Sequence, residues 1–154
     1  MLHVPKQLFK KVEKRLAGKA VLCTDAATSA RMGRIRQSGT APEITVRRAV
    51  STLGLRYTVR NEDLPGSPDL ANRSRRWAIF VHGCYWHRHG GCHKATTPRT
   101  NTDFWLNKFS RNVTRDAAAR VSLRRRGYQV LTFWQCECES SARLTTRLAR
   151  LSQS

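Results

Sequence analysis

The feature that most constrains the fold of this chain is an uninterrupted apolar run from Trp77 to Val81. The run has the length of a strand, and it lacks the alternation of polar and apolar residues that marks a strand with one solvated face. It therefore predicts a central strand that is buried on both faces. The most chemically distinctive residues of the sequence, histidines and cysteines, follow directly after this strand.

Two further elements are predicted before the central strand. A capping-box pattern, in which Glu43 follows Thr40 by three residues, starts a helix with one apolar face, and Gly54 ends that helix. The next segment alternates apolar and polar residues, as a half-buried strand does. The apolar members of this predicted strand are Leu55, Tyr57 and Val59.

A long helix and a second strand are predicted after the central strand. Residues 102–126 carry apolar residues at helical spacing and are stopped by Gly127, and Asp116 borders their apolar stripe. Residues 128–134 alternate as a strand, so a helix between two strands indicates a crossover unit in a mixed sheet. A short basic amphipathic helix is expected over residues 140–154. The predicted stripe of the long helix consists of Trp105, Phe109, Val113, Ala117 and Val121.

The length of 154 residues allows one ordinary domain with its own core. The predicted fold class is α/β (α+β), with a mixed central sheet flanked by helices. We place the folded domain at residues 28–154 and a basic extension at residues 1–27. For that extension, a peripheral helix and a partly ordered segment are equally good interpretations. We expect the protein to be a monomer.

The charge of the chain indicates its partner. Lys and Arg number 29 against 10 Asp and Glu, which gives a net charge of +19. Such self-repulsion predicts a polyanionic partner, and nucleic acid is favoured over an anionic membrane because the arginines are spread over the whole chain. No segment is apolar enough to cross a bilayer, and the N-terminus lacks the apolar stretch of a secretory signal. A cytoplasmic location is therefore expected.

Cysteines and histidine after the central strand predict a metal site. The chain has five cysteines, an odd number that argues against a disulfide framework. Cys84, His89 and Cys92 are close enough in sequence for one tight loop to offer two thiolates and an imidazole to one ion. Cys136, after the second strand, would complete a closed Cys3His zinc site of structural type, which would not activate water. The alternatives that the spacing leaves open for the last ligands are Cys138 and His93.

Asp69 is the best candidate ligand for a catalytic cation. It follows directly after the rigid turn from Leu64 to Pro68, where the chain can become extended again. Metal-dependent cleavage of a phosphodiester needs oxygen ligands for magnesium and a group that activates water. Because the whole chain has only 10 acidic residues, an Asp at this place is less often incidental. Taken alone, an Asp after Pro is more often a turn or cap residue.

Four separated motifs of the sequence occur in a characteristic order. They are Leu64-Pro65-Gly66-Ser67-Pro68-Asp69, Ile79-Phe80-Val81-His82-Gly83-Cys84-Tyr85-Trp86-His87, Thr102-Asp103-Phe104-Trp105 and Asn112-Val113-Thr114-Arg115-Asp116. Together they resemble the very short patch repair endonucleases, the Vsr family, over a segment from about Ser29 to Cys136. The resemblance implies a restriction-endonuclease-like fold. It also implies a magnesium-dependent nick on the 5′ side of the thymine in a T:G mismatch left by deamination of 5-methylcytosine.

The resemblance also implies roles for the residues that would act on the phosphate. Asp69 would bind magnesium directly, with the backbone carbonyl of Val81 as a second ligand. His87 would activate the attacking water, and Asp116 would orient and polarise His87. The expected substrate is double-stranded DNA with a T:G mismatch, and other mismatch-repair proteins are additional expected partners.

Further residues receive roles from the same resemblance. His82 would be a second imidazole at the scissile phosphate, and Glu43 would hold metal-bound water from the first helix. The zinc ligands that it implies are Cys84, His89, Cys92 and Cys136, which agrees with the spacing. The apolar side chains that would enter the DNA beside the mismatch are Tyr85, Trp86 and Trp105 from the major groove and Met32 and Ile35 from the minor groove.

This sequence departs from the family's best-known members at two positions, where Val81 replaces threonine and Ser67 replaces a basic residue. The backbone carbonyl that would bind magnesium is kept in the first change. The loss of a hydroxyl at position 81 and of a positive charge at position 67 is expected to affect the rate or the sequence context of cleavage. The zinc loop is one residue longer, which leaves His89 and His93 as alternative ligands. Two other functions remain open: a non-catalytic zinc-containing DNA-binding module, and a restriction-type nuclease that cuts paired DNA. Such nucleases usually carry a second acidic residue and a lysine, separated by one residue, a short way after the first Asp, and no such pair follows Asp69.

Overall fold

The computed structural model of the chain describes residues 38–151. The predictions for residues 1–27, for Met32 and Ile35 and for residues 152–154 lie outside the described residues. The described chain divides into two compact units, a smaller one that holds residues 97–107 and a larger one that holds the rest. The elements in chain order are α1 (Ala41–Thr52), β1 (Leu70–Asn72), β2 (Trp77–His82), α2 (Thr102–Arg125), β3 (Gln129–Trp134), a 3-10 turn (Glu137–Glu139), α3 (Ser141–Leu148) and a second 3-10 turn (Ala149–Leu151).

The three strands form one mixed sheet in the order β1-β2-β3. β1 pairs antiparallel with β2, and β2 pairs parallel with β3, with Trp77 opposite Gln129 and His82 opposite Trp134. Because α2 connects the parallel pair, the predicted crossover unit is confirmed. β2 lies in the centre, and every residue of it except Val81 is buried, as the apolar run predicted.

Helices cover the sheet on both faces. β2 sends Trp77 and Ile79 into one core cluster and Ala78 and Phe80 into another, because successive side chains of a strand alternate in direction. The predicted mixed sheet flanked by helices is therefore confirmed for the larger unit. The first cluster receives Val46 and Val50 from α1 and Leu144 and Leu148 from α3, and the second receives Ala119 and Leu123 from α2.

The strand predicted over residues 55–59 is wrong. Within the part of the chain that the structure describes, this segment forms one antiparallel bridge, between Thr58 and Ala71. Val59 is 40% exposed, and Arg60 follows with a φ of 57°, in the left-handed region that ends extended backbone. The alternating pattern is too short, and its last apolar residue finds no core to pack against.

The helix predicted from Thr40 is confirmed as α1, but its cap is built differently. The hydroxyl of Thr40 donates to Glu43 Oε1 at 2.9 Å, and the N–H of Gly39 donates to Oε2 at 2.8 Å. An ionised carboxylate only accepts hydrogen bonds, so the hydroxyl acts here as a donor and not as an acceptor from the helix backbone. The side chain of Glu43 is thereby fixed and buried at the start of the helix.

The long predicted helix is confirmed as α2, but the apolar stripe is only partly right. Phe109 is buried, whereas Val113 and Val121 are 43% and 45% exposed. A four-residue spacing rotates by about 40° per step around a helix of 3.6 residues per turn, so the predicted stripe leaves the packed side. The packed side continues instead through Asn112, Asp116, Ala119 and Leu123. No helix among the described residues is long and apolar enough to span a membrane.

Candidate active site and metal centre

One of two side-chain clusters at the end of β2 has the composition of a metal centre. The ligand atoms of Cys84, His89, Cys92 and Cys136 all lie within 4.8 Å of one another. His89 Nδ1 is 3.7 Å from Cys84 Sγ and 3.2 Å from Cys136 Sγ. Sulfur and nitrogen ligands of a tetrahedral zinc ion stand about 3.5 Å apart. The four side chains therefore fit one tetrahedral ion, and we name them the Cys/His cluster.

The sheet register and a tight loop assemble this cluster. His82 and Trp134 are opposite each other at the ends of β2 and β3, so Cys84 and Cys136 each follow two residues beyond a paired position. The loop then turns back, because the N–H of His89 donates to the carbonyl of Cys84 at 3.0 Å and the N–H of Cys92 donates to the carbonyl of His89 at 3.3 Å. Strand pairing thus supplies the residue that is distant in sequence.

The two alternative ligands lie outside the Cys/His cluster. Cys138 packs in the core with α1 and α3, and burial raises the pKa of its thiol to about 11. His93 is exposed and does not join the cluster. Burial and the neighbouring thiols of Cys84 and Cys92 raise the pKa of Cys136 to about 11. A divalent cation would reverse this effect, because a coordinated thiol is deprotonated.

The second cluster combines two imidazoles with a carboxylate. Ligand atoms of His82, His87 and Asp116 lie within 4.8 Å of one another. The His87 ring stacks on that of His82, with the centroids 4.0 Å apart and the planes at 9°. His87 Nδ1 forms a short hydrogen bond with the carboxylate of Asp116. We name these three residues the His/Asp cluster.

The charge state of Asp116 sets the tautomer of His87. Burial favours a higher pKa for this carboxyl group, but the hydrogen bond from His87 and the electrostatic effects of the neighbouring basic groups outweigh it, so the pKa lies below its usual value. An ionised carboxylate only accepts, so Nδ1 of His87 carries the proton in this bond. Nε2 is then the acceptor atom of the neutral ring, as a base that takes a proton from water requires.

His82 is a neutral imidazole in this environment. It is 5% exposed, and its Nδ1 has no hydrogen-bond partner among the described residues. Burial, followed by the charges of His87, Arg120 and Arg115, lowers its pKa to about 4, although Asp116 opposes this. The two arginines come from α2, so the cluster lies in a positive field that suits a phosphate group.

Asp69 contacts the backbone of β2 at Val81, the residue before His82. Its carboxylate accepts a 2.7 Å hydrogen bond from the N–H of Val81. Burial, with a smaller contribution from the charge of Glu43, raises the pKa of Asp69 to about 6, against the opposing effects of the Val81 N–H and Arg47. A buried carboxyl group next to another carboxylate is destabilised as an anion, which is the situation that a bound divalent cation relieves.

The turn before Asp69 is fixed by packing. Gly66 has a φ of 74°, and a Cβ on it would lie 2.5 Å from the Cβ of Ala119 on α2. Only glycine is accommodated at that position, so the turn lies directly on the helix that carries Asp116. The register that places Leu70 opposite Ile79 then brings Asp69 next to Val81.

Glu43 is held mainly by its own helix. Besides the two bonds at the cap, its carboxylate forms an ion pair with Arg47 at 3.2 Å. Its connection to Asp69 is electrostatic, since its charge raises the pKa of that residue. A role in holding metal-bound water remains a prediction.

Tyr85 and Trp86, the side chains expected to enter the DNA, are half-buried and not fully exposed. The Tyr85 ring meets Phe109 edge-on at 5.2 Å, and Lys108 Nζ lies 5.2 Å from the centroid of the Trp86 ring. α2 thus packs against these rings. In the smaller unit, Trp105 is 8% exposed and lies edge-on to Phe104 with the centroids 5.4 Å apart.

Trp134 was predicted only as a strand residue, yet its ring contacts both clusters. His89 stacks on its ring with centroids 4.3 Å apart, and His82 meets it edge-on at 5.4 Å. The only signal was its position two residues before Cys136. Arg115 and Arg120 were also missed, because a net charge does not show which arginines approach a site.

Comparison with known proteins agrees with this geometry. Residues 20–94 match the family described as DNA mismatch endonuclease Vsr. The chain is 38% identical to the type II nicking enzyme V.XorIIP of Xanthomonas oryzae pv. oryzae over 120 residues, which are 78% of this chain and 88% of that protein. It is 37% identical to the DNA mismatch endonuclease Vsr of Escherichia coli over 120 residues, 78% of this chain and 76% of that protein.

These relatives show which class of protein the chain is. The chain is a DNA endonuclease, so the alternative of a non-catalytic DNA-binding module is set aside. It belongs to the Vsr family, as the four motifs indicated, and its relatives connect it with nicking and mismatch repair.

Proposed function

We propose that this chain is a magnesium-dependent endonuclease that nicks one strand on the 5′ side of the thymine in a T:G mismatch, with a structural zinc ion in the Cys/His cluster. The substrate would be a mismatch produced by deamination of 5-methylcytosine, and the nick would start very short patch repair. The observation that carries the proposal is the His/Asp cluster, in which His87 is held by Asp116 and stacked on a neutral His82.

The proposed chemistry assigns a separate task to each side chain. Nε2 of His87 takes the proton of the attacking water, and Asp116 stabilises the imidazolium that forms. His82 is neutral and lies in the same positive field as Arg115 and Arg120, where the phosphate oxygens would bind. Its Nδ1, which has no partner among residues 38–151, is available for a hydrogen bond to the phosphate.

Magnesium would be held by the carboxylate of Asp69 and the backbone carbonyl of Val81. The raised pKa of Asp69 and the nearby charge of Glu43 support a cation at this position. The bound cation supplies charge compensation for the phosphate and lowers the pKa of water. The threonine-to-valine change at position 81 leaves this carbonyl in place, so it does not oppose the assignment.

The Cys/His cluster supports a structural ion. Three thiols and one imidazole are soft ligands that zinc prefers, and four protein ligands leave no position for water. The ion would join the ends of β2 and β3, next to the His/Asp cluster. The mixed sheet, with α2 crossing between parallel strands, is compatible with the restriction-endonuclease-like fold that the family resemblance implies.

One observation favours an alternative to mismatch specificity. The Xanthomonas relative is named a type II nicking enzyme, without reference to a mismatch. A nuclease that nicks paired DNA at a defined sequence is therefore the second candidate. Tyr85, Trp86 and Trp105 are the described residues whose proposed role in entering the DNA would be specific to a mismatch.

A duplex assay separates these functions. We would incubate the protein with end-labelled duplexes that differ only in a T:G or T:A pair, with and without magnesium, and locate any nick on a sequencing gel. We expect one nick, 5′ to the thymine, in the T:G duplex with magnesium only. Asp69→Asn should bind the T:G duplex and leave it uncut.

The controls distinguish loss of chemistry from loss of folding. Asp63→Asn changes an exposed aspartate outside the site and should nick normally. Equal nicking of both duplexes would replace the mismatch enzyme with a sequence-specific nickase. Nicking by the Asp69→Asn variant at the wild-type rate would refute the magnesium site.

A further inference from the structure

We propose that this chain carries a second DNA-binding surface, at the end of β2 opposite to the candidate active site, which contacts the backbone of a separate duplex segment. The surface goes beyond the nicking reaction and does not depend on it. We name it the arginine patch. Its members are Arg73, Arg75, Arg76, Arg124, Arg125 and Arg126.

The fold brings these arginines together from two segments. Arg73, Arg75 and Arg76 occupy the turn between β1 and β2, and the other three lie at the end of α2. A guanidinium N–H of Arg76 donates to the carbonyl of Arg126 at 3.1 Å. The N–H of Gln129 donates to the carbonyl of Arg76 at 2.8 Å. These bonds join the turn to the end of the helix, so the six side chains share one surface of the larger unit.

The charge of the patch is almost uncompensated. All six arginines are exposed, and Arg73 is paired with Asp63, with Nη2 and Oδ1 2.6 Å apart. The other five form no ion pair with any residue between 38 and 151. The hydrogen bond from Arg73, with a contribution from the charge of Arg126, holds the pKa of Asp63 below its usual value. An external anion that binds here would neutralise the excess positive charge.

Helix capping explains only part of this arrangement. Basic side chains in the last turn of a helix interact favourably with its dipole, and Arg76 already bonds the carbonyl of Arg126. Capping gives no reason for Arg73 and Arg75, which lie in the strand turn. Like charges gathered from two segments repel one another, so their common location is better explained by a polyanionic partner.

The position of the patch at the opposite end of β2 from the active site favours a separate DNA segment. Five residue steps of β2 separate Trp77 from His82, which corresponds to about 17 Å. Along α2, Arg124 is eight residues or about 12 Å beyond Asp116. DNA has a persistence length of about 150 bp, so a duplex that lies across the active-site end of β2 stays straight and leaves the opposite end of the strand to another segment.

The chemistry of the patch favours DNA among polyanions. Guanidinium groups bind phosphate oxygens in a bidentate manner, and DNA is the substrate of this enzyme. A protein that holds two segments can pass from one to the other without release. Such transfer suits an enzyme that searches long paired DNA for a rare site.

The test is a second-duplex binding experiment with the full chain in magnesium-free buffer. The protein is first saturated with a short T:G duplex, and a fluorescent paired duplex is then added. Analytical ultracentrifugation gives the mass of the complex. We expect one chain with two duplexes for the wild type and one chain with one duplex for the variant R124Q/R125Q/R126Q. Glutamine removes the charges and preserves helix propensity.

A matched control removes the same charge elsewhere. R48Q/R143Q/R150Q changes three exposed arginines on α1, on α3 and in the last 3-10 turn, and should still bind two duplexes. The patch variant should also reduce the salt slope of the second binding step by up to about 3, because each lost phosphate contact lowers it by about 0.9. Nicking of a T:G duplex at saturating enzyme should be unchanged in both variants.

Three results would overturn the proposal. One is a wild-type complex that never exceeds one duplex per chain, and another is identical binding by the patch and control variants. A patch that captures poly-glutamate but no second duplex would belong to an acidic protein partner. If the wild type nicks no DNA, the duplex stoichiometry is still measured, so failure of the proposed function is distinguishable.

Discussion

The two clusters at the end of β2 are built from different parts of the chain. The Cys/His cluster takes three of its four members from residues 84–92 and the fourth, Cys136, from just after β3. The His/Asp cluster takes His82 from the strand and His87 from the loop, and Asp116 comes from the middle of α2. One cluster depends mostly on local spacing, and the other depends on how a helix packs against a sheet.

The two clusters also differ in how completely their polar groups are paired. The Cys/His cluster directs four ligand atoms to one point, as a closed centre does. In the His/Asp cluster, Nδ1 of His82 is buried without a partner among the described residues, and nearby Asp69 has a pKa raised to about 6 by burial. Incomplete pairing and shifted pKa values are typical of sites that receive a substrate. The first cluster has the composition of a structural metal site, and the second is suited to chemistry.

The largest effect is expected from Cys136→Ser. A closed zinc site contributes about 10 kcal/mol to folding, which is comparable to the whole stability of a domain. The variant should lose zinc and fail to fold cooperatively, as measured by metal analysis and thermal unfolding. Cys138→Ala is the matched control, because that thiol lies in the core and its loss should cost only about 1–2 kcal/mol. A zinc-free variant that folds like the wild type would remove the distinction between the clusters.

His87→Gln should reduce the nicking rate strongly and change the stability little. Loss of a general base reduces the rate by about 10²–10⁴-fold, so nicking should fall by this factor while the melting temperature stays near that of the wild type. Single-turnover nicking and thermal unfolding measure the two quantities. His93→Gln, which changes an exposed histidine outside both clusters, should leave the rate unchanged. A strongly destabilised His87→Gln protein with normal activity when folded would show that this cluster is structural.

Stability against pH tests the charge states of Asp69 and His82. Folding raises the pKa of Asp69 from 3.8 to about 6, so its contribution to stability is complete below the unfolded value and is lost as the pH rises through about 6. Folding lowers the pKa of His82 from 6.5 to about 4, so its contribution is present above 6.5 and is lost as the pH falls towards 4. The two effects oppose each other between about pH 6 and 4.

A variant that lacks one of these two titrating groups should therefore show the pH dependence of the other. In Asp69→Asn the stability should fall more steeply on acidification than in the wild type, by at most about 1.4 kcal/mol per pH unit. His82→Gln should change the slope in the opposite direction. Urea unfolding in magnesium-free buffer measures the stability of both variants. Any effect of acid on the Cys/His cluster is common to the three proteins, so the difference from the wild type removes it. Parallel curves for all three proteins would contradict the assigned charge states.

The smallest effect is expected from Trp86→Ala, which changes the loop between the two clusters and leaves the members of both in place. Unstacking of a base step costs a few kcal/mol and less beside a mispair, so loss of a ring that enters the DNA should reduce T:G discrimination by about tenfold. Affinities for T:G and T:A duplexes across a salt series measure it. Tyr85→Phe keeps a ring and should discriminate as the wild type does. An equal loss of both affinities would show that Trp86 packs against α2 and has no role in recognising the mismatch.

Local patterns in the sequence determined much of the framework. The apolar run predicted β2, the turn before Asp69 and the glycine after α2 marked where elements begin and end, and the spacing of Cys84, His89 and Cys92 predicted a ligand set. Four ordered motifs were enough to indicate the family. These features succeed because turns, strands and short ligand loops depend on residues that are near one another in the chain.

The tertiary structure decided what depends on distant contacts. It turned Asp116 towards His87 although the four-residue stripe placed the packed side elsewhere, and it put Cys138 in the core instead of the Cys/His cluster. It also placed Trp134 against both clusters and covered Trp86 with α2. The physical reason is that helix phase and strand register are fixed by packing of the whole core, and periodicity within one segment does not specify which remote segment that face will meet.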